Sequence, residues 1–354
     1  MSSLPMQRTN PVAGEPSALG SGASPAVPTT LDVVCASDLP YADFLQHYLR
    51  ANRPVVIDNA VTAWPALRKW TPHYFKQNFG QHPVQVSYTK RMTFADFADA
   101  VLASSEQSPG PYLFRLFFHE HLPELLPDLI PQNVYGFPLR HISPLMPERW
   151  RRPDGFLKLL MGGPGSKFPV MHYDLEHAHA QITEIYGEKE YYLFPPEDTP
   201  YLYPSPVQPN LSQIDQPHKP DLQRFPRVAQ ASPHHTVLKP GQMIFIPMGW
   251  WHAARPLSIS ISVCTAILDR SNWPGFVHDV CDNNITPQGR PFKRLLKRSY
   301  LQSAGAVMHA MENLQTTAPN LARALVFPAK LAPISAEVSP EPSARPLNIR
   351  IPTA

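Results

Sequence analysis

The chain has 354 residues, 43% of them hydrophobic and 17% charged, with a formal net charge of +3 when the histidines are neutral. That balance supports a large core, excludes a wholly disordered chain and gives no electrostatic case for nucleic-acid binding. The 44 prolines stand against only 16 glycines, where average usage gives about 18 prolines, so collagen, a coiled coil and a helical bundle are excluded and many short strands and loops are predicted.

Residues 1–30 are rich in Pro, Ser, Ala and Gly and predict a disordered tail. They contain no apolar stretch of the secretory type, and no run in the chain approaches the ~18 apolar residues of a membrane span. The expectation is a cytoplasmic chain with no membrane contact. Asp38 is placed to cap a helix through Tyr41–Leu49, with Phe44, Tyr48 and Leu49 on one face. Pro54-Val-Val-Ile-Asp reads as a short strand. Thr71 with Pro72 opens a second helix through Tyr74, Phe75 and Phe79, and Thr93 a third carrying Phe94, Phe97, Val101 and Leu102.

From about Gly155 strands dominate. Phe156–Met161, Ala180–Tyr186 before a turn at Gly187, Tyr191–Phe194 before Pro195-Pro196, Thr236–Leu238, Met243–Ile246 and Leu257–Val263 are each bounded by turn residues. Strands at this density predict a β-sandwich or barrel. After Trp273 the period returns to helical, with Leu301, Ala304, Met308, Met311 and Leu314 on one stripe. Arg290–Arg298 is basic and reads as a solvated helix face, and residues 331–354 resemble the first tail in composition. Three cysteines, Cys35, Cys264 and Cys281, lie far apart with no CxxC pair, which fits a reducing compartment.

Three groups carry the chemical signal: His172 and Asp174 in Val-Met-His-Tyr-Asp, and His252 in Pro-Met-Gly-Trp-Trp-His. Residues two apart on a strand share a face. If the strand preceding His252 lies opposite, two imidazoles and a carboxylate converge as in the facial triad of non-haem iron sites. The spacing alone is weak, because His119 with His121, His177 with His179 and His234 with His235 form other close pairs, most of them read as surface or loop histidines.

The surrounding text is far more specific. Pro54-Val-Val-Ile, Trp64-Pro-Ala-Leu-Arg-Lys-Trp, His172-Tyr-Asp, Gly187-Glu-Lys-Glu-Tyr-Tyr-Leu-Phe-Pro-Pro, Leu202-Tyr-Pro, Ile214-Asp, Arg224-Phe-Pro and Pro240-Gly-Gln-Met-Ile-Phe-Ile-Pro-Met-Gly-Trp-Trp-His occur in this order. Through them the chain resembles the JmjC, or cupin-like, Fe(II)/2-oxoglutarate-dependent oxygenases. It looks most similar to the branch that includes the asparaginyl hydroxylase acting on the hypoxia-inducible factor. The resemblance implies a mainly β fold, a double-stranded β-helix or jelly roll over residues 31–285, with α/β elements before it and a helical extension over 286–330. It implies Fe(II) on His172, Asp174 and His252, and 2-oxoglutarate as cosubstrate. Its distal carboxylate would meet Lys189 and, on a looser alignment, Tyr112.

Three positions depart from the family pattern. Pro169 stands where a threonine is usual, Cys264 where an asparagine is usual, and the segment after Asp174 has no asparagine and is about two residues longer. The resemblance implies hydroxylation of a protein or peptide side chain, with the aromatic loop at Tyr201 and Tyr203 shaping the entrance and the C-terminal helices offering a homodimer contact. Three other readings stay open on the sequence: N-methyl-lysine demethylation, oxidation of a small molecule or peptide natural product, and a metal-binding cupin without catalysis.

Overall fold

The computed structural model describes residues 26–87, 90–131, 133–136, 156–166, 171–281 and 291–317. In chain order β1 (Thr29–Thr30) and β2 (Val33–Cys35) precede α1 (Tyr41–Phe44), which runs on as a π-helical turn over Leu45–Leu49. Then come β3 (Val55–Asp58), α2 (Ala66–Lys69), α3 (Pro72–Phe79), β4 (Pro83–Gln85), β5 (Arg91–Thr93), α4 (Phe94–Leu102), β6 (Leu113–Phe117) and α5 (Phe118–His121). The β-rich body follows with β7 (Lys158–Gly162), β8 (His179–Tyr186), β9 (Lys189–Phe194), β10 (His234–Leu238), β11 (Met243–Ile246), β12 (Trp251–Pro256) and β13 (Ser260–Ile267). Helices α6 (Trp273–Cys281) and α7 (Pro291–Thr317) close the described chain.

Two sheets dominate. The smaller has strand order β1-β10-β9-β12 and the larger β2-β3-β11-β8-β13-β7-β6, while β4 and β5 pair separately. They pack face to face. Leu31, Tyr191, Leu193 and Leu238 on the small-sheet side meet Val56, Leu160, Ile182, Ile244, Ile246 and Cys264 of the large sheet in one buried cluster.

The period-two rule assigns the remaining faces. Val55, Ile57, Met243 and Phe245 point away from the partner sheet and bury Phe44, Tyr48 and Leu49 of the first helix. Further along the same outer face, Leu159, Met161, Ile261 and Val263 pack on Trp70, Phe75, Phe94, Phe97 and Val101. The outer face of the small sheet, through Phe194 and Trp251, is covered by Leu202, Ile214, Phe225 and Val228 of the long 195–231 connection. Tyr201 and Tyr203 pack against this outer cluster.

Thr71 and Thr93 cap as expected, accepting hydrogen bonds from the backbone N–H of Tyr74 and Asp96. Asp38 does not cap. It ends a 3₁₀ turn, Ala36–Asp38, and Pro40 sits at the helix N-cap with no side-chain bond. Proline has no N–H to lose at that point, so the chain can turn there without a carboxylate cap.

The composition-based tail reached Thr30, but Thr29 and Thr30 form β1 and pair in parallel with His234 and His235. Their side chains are exposed, so the pairing is a backbone event with no hydrophobic signature. The rest of the first tail, and the second, lie outside the described residues. The C-terminal stripe buries Leu301, Ala304 and Met308 against Trp273, Phe276, Val277 and Val280 of α6. At Gly305 any Cβ would stand 2.5 Å from the Trp273 ring, so the two helices meet closely there. The basic residues Lys293, Arg294 and Lys297 are exposed on the first half of α7.

Candidate metal centre

His172 and Asp174 lie on an extended segment that does not form a full strand. The His172 N–H donates to the His252 carbonyl at 3.0 Å, and the His252 N–H donates back to His172 at 2.7 Å, making an isolated antiparallel bridge. This one bridge brings both imidazoles to the same edge, with ring centroids 4.3 Å apart. Side chains alternate as the spacing requires: Tyr173 turns away to meet the Trp251 ring edge-on at 4.9 Å, while its neighbours face inward.

The carboxylate of Asp174 stands 3.9 Å from His172 Nε2 and 4.0 Å from His252 Nε2. One potential ligand atom from each of the three residues lies within 4.8 Å of the others, the sole such metal-competent group among the described residues. A cation bound about 2.0–2.2 Å from each donor allows donor separations up to ~4.4 Å, so the two imidazole–carboxylate distances suit one shared ion. The His252 Nδ1 is 3.1 Å from the Trp250 carbonyl. Donating there, it leaves the Nε2 lone pair for a metal. His252 is nearly buried at 7% side-chain exposure, whereas Asp174 retains 35%, so one side of the group is open to solvent.

Lys189 is 1% exposed. Its neighbour Glu190 faces the other way and pairs with Arg255 and His235. Although Glu188 and Glu190 flank it in the sequence, the strand register turns Lys189 inward. Lys189 lies opposite Pro256 and His252 opposite Leu193, so the two side chains share an inward face four residues apart along the paired strands, about 13 Å.

The Lys189 ammonium donates to the Tyr112 hydroxyl at 2.6 Å and to Ser262 Oγ at 3.1 Å. Tyr112 is buried, which raises its hydroxyl pKa, and the charge of Lys189 opposes the rise. Among the described residues no carboxylate lies within the 4.0 Å ion-pair distance of this ammonium. The Tyr191 hydroxyl, on the same inward face, is buried with no hydrogen-bond partner among the described residues. Its ring lies 5.9 Å from Lys189 Nζ. A buried ammonium that touches no carboxylate directly, with Glu184 one serine hydroxyl away, beside an orphaned hydroxyl is a place for a ligand's carboxylate.

Of the departures from the family pattern, Pro169 lies outside the described residues. Cys264 is buried on β13 within the inter-sheet cluster, where burial pushes its thiol up and keeps it neutral. The longer segment after Asp174 makes a 3₁₀ turn, Leu175–His177, with Glu176 and His177 both at positive φ. It docks on α6: His177 Nδ1 is 2.7 Å from Asp279, and at Gly275 a Cβ would stand 2.3 Å from the His177 ring.

His179 was read as a loop histidine. It is the first residue of β8, fully buried, and accepts the Met248 N–H at Nδ1. His234 and His235 likewise belong to a strand. Sequence reasoning missed Glu184, Ser260 and Ser262, which line the same interior as Lys189. Their signal was a phase break: Ala180 and Ile182 share a face, and the next residue on that face is Glu184.

A cupin-like domain model matches residues 41–266. The chain belongs to the cupin-like domain family. Lysine-specific demethylase 8 of Xenopus tropicalis is 30% identical over 231 residues, covering 62% of this chain and 49% of that protein. HSPB1-associated protein 1 of Homo sapiens is 28% identical over 247 residues, 59% of this chain and 47% of that protein. Arginine-specific demethylase JMJ22 of Arabidopsis thaliana is 28% identical over 244 residues, 65% of this chain and 45% of that protein. The chain spans about half the length of these curated relatives. They support the wider family rather than the asparaginyl hydroxylase branch in particular. Among the described residues no helix is long and apolar enough to cross a membrane.

Proposed function

We propose that this protein is an Fe(II)- and 2-oxoglutarate-dependent oxygenase that oxidises a C–H bond on a protein or peptide side chain. The observation that carries the reading is that His172, Asp174 and His252 converge on the inward face that also carries the buried Lys189. The two-sheet body is read as the double-stranded β-helix that holds such sites. Two imidazoles and one carboxylate on one side of a metal suit iron with positions left open. The separation between the triad and Lys189 suits a short dicarboxylate that chelates the metal at one end and meets an ammonium at the other.

When bound, iron and 2-oxoglutarate supply an oxidant for unactivated C–H bonds, with dioxygen consumed and the cosubstrate converted to succinate and CO2. The chain's own residues have narrower tasks. His252 is held in one tautomer by Trp250, and His172 is held to His252 by paired backbone bonds. Lys189 and Tyr112 hold the distal carboxylate, and the Tyr191 hydroxyl gains a partner there. The surrounding Leu193, Ile182, Ile244 and Ile246 exclude water and strengthen those charge-assisted bonds.

Demethylation is the second reading, favoured by the names of two of the relatives above. Both reactions begin with oxidation of a C–H bond, and they part only where the attacked carbon is bonded to nitrogen. The test is a peptide pool containing unmodified and N-methylated side chains, incubated with Fe(II), 2-oxoglutarate and the protein. Succinate with a gain of one oxygen on a peptide supports hydroxylation, and succinate with loss of a methyl group supports demethylation. No succinate under any condition overturns the oxygenase reading.

A further inference from the structure

The Lys189 end of the interior holds a carboxylate for which the proposed chemistry has no task. Glu184 on β8 is fully buried. Its Oε1 accepts from Ser260 Oγ at 2.6 Å and its Oε2 from Ser262 Oγ at 2.7 Å. Ser262 Oγ accepts in turn from Lys189 Nζ, which also donates to Tyr112. One hydroxyl therefore joins the buried acid to the buried cation.

The groups that face Glu184 come from every neighbouring element. Lys189 and Tyr191 face it from β9, Tyr112 from the segment entering β6, and Ser260 and Ser262 from β13, with Cys264 further along the same inner face of β13. β10 and β11 add the uncharged Leu238 and Ile244 to the same interior, and β7 adds Leu160 and, toward Cys264, Lys158. With Glu184 ionised, the described charges joined at the Lys189 end are one anion and one cation. A dicarboxylate arriving at Lys189 brings a second anion into a site with a single cation, and an uncompensated buried charge is costly.

We propose that Glu184 takes up a proton from solvent when 2-oxoglutarate binds, so that this residue makes cosubstrate affinity pH-dependent. The proposal rests on the reading that the distal carboxylate of 2-oxoglutarate seats at Lys189. The protonated carboxyl donates its hydrogen bond to a serine hydroxyl, where the ionised form could only accept. Ser262 is then free to turn its own hydrogen toward the incoming carboxylate. No bond other than O–H forms, and the proton comes from water.

The direction follows from burial, which pushes Glu184 up to about 7 against the opposing pull of Lys189 and the two serines. Below that value the acid is already neutral and affinity is level. Above it each unit of pH lowers affinity by up to about tenfold, because binding must first supply a proton.

The test is calorimetric titration of 2-oxoglutarate into the full chain loaded with Mn(II), a redox-quiet stand-in for Fe(II), with oxygen excluded. At pH 8 it is run in two buffers of different ionisation enthalpy. Wild type should take up close to one proton, about 0.8–1, per 2-oxoglutarate bound. Glu184→Gln keeps the shape and removes the titration. It should take up none, bind with nearly the same affinity at pH 6.5 and pH 8.5, and bind about tenfold more tightly than wild type at pH 8. Comparing the two proteins cancels proton exchange at the metal end. Tight binding to wild type without proton uptake, or a Glu184→Gln protein that keeps the full pH slope, overturns the proposal while leaving the oxygenase reading intact. Absence of 2-oxoglutarate binding to either protein at pH 6.5 overturns that reading and this proposal together.

Discussion

Where His172, Asp174 and His252 meet, the donors hang on an irregular extended segment and on the first turns of β12, and Asp174 keeps 35% of its side chain in solvent. Where Glu184, Lys189 and Ser262 meet, all three belong to strands, with a bulge in the β8–β13 pairing beside Ser262, and their exposures are 0%, 1% and 0%. The difference follows from what each end must hold. A metal needs exchangeable positions and an approach for the group to be oxidised, so its ligands belong at an opening. A carboxylate–ammonium contact is weak in water and strong only when dry, so its partners belong in a sealed interior.

The largest expected effect lies at the open end. Replacing His172 or His252 by Ala should lower metal affinity by more than about 100-fold, because neither ligand has a substitute nearby. The strands that carry the fold do not depend on the imidazoles, so the melting transition should move little. Metal content after reconstitution, read beside thermal unfolding, checks both halves. Retention of full occupancy by His172→Ala would misplace the centre.

At the sealed end Lys189→Met keeps the stem and deletes the charge. The 2-oxoglutarate requirement should rise roughly tenfold to a hundredfold, since a charge-assisted bond contributes about 1.5–3 kcal/mol. Metal binding should survive, which separates the two ends in a single variant. An unchanged 2-oxoglutarate affinity would remove Lys189 from the site.

A smaller effect appears in stability. Glu184 titrates near 7 in the fold against 4.5 for an unperturbed carboxylate, so the unfolded chain holds fewer protons between those values. Folding stability from this group is fully present below 4.5 and declines as pH rises through about 7. Glu184→Gln should flatten that decline and be more stable than wild type by up to about 3 kcal/mol at pH 8. Urea unfolding at pH 5 and pH 8 measures it, and a wild-type stability that rises between those pH values for reasons traced to Glu184 would reverse the sign.

The smallest effect is at the edge of the small sheet. A chain starting at residue 31 loses β1 and its backbone bond from Thr29 N–H to Pro233, which a chain starting at residue 26 keeps. Its melting temperature should be lower by about 2–4 °C. Equal melting temperatures would show that the β1 pairing contributes nothing.

The contrast between the two ends also explains what was readable. His172, Asp174 and His252 stood out because ligand residue types at fixed spacing are written locally, and because the text around them is distinctive. In the large sheet β3, β7, β8, β11 and β13 were readable from turn residues and apolar runs, while β2 and β6 were not read as strands; the Thr71 and Thr93 caps were readable from their helix starts. Glu184 was overlooked although it shares a face with Ala180 and Ile182, since a charged residue near a strand end is taken for a solvent-facing one. Here both faces of β8 are buried, at seven of its eight positions, and alternation no longer distinguishes inside from outside. His179 was misread because the strand was taken to start at Ala180, one residue late, which left it in the preceding loop. The stripe on α7 was legible, but that α6 covers it follows from packing, with Gly305 set against Trp273. The pairing of Thr29–Thr30 left no trace, because backbone hydrogen bonds at a sheet edge impose no side-chain pattern.

The central claim is that the open and sealed ends hold one ligand between them. Equilibrium binding of 2-oxoglutarate with oxygen excluded, measured with and without Mn(II) on wild type and on His252→Ala, tests it most directly. The metal should tighten wild-type binding by about tenfold or more, and this gain should vanish in His252→Ala while the Lys189-dependent remainder persists. Wild-type affinity that is the same with and without metal would show that the two ends act separately, and would contradict the account.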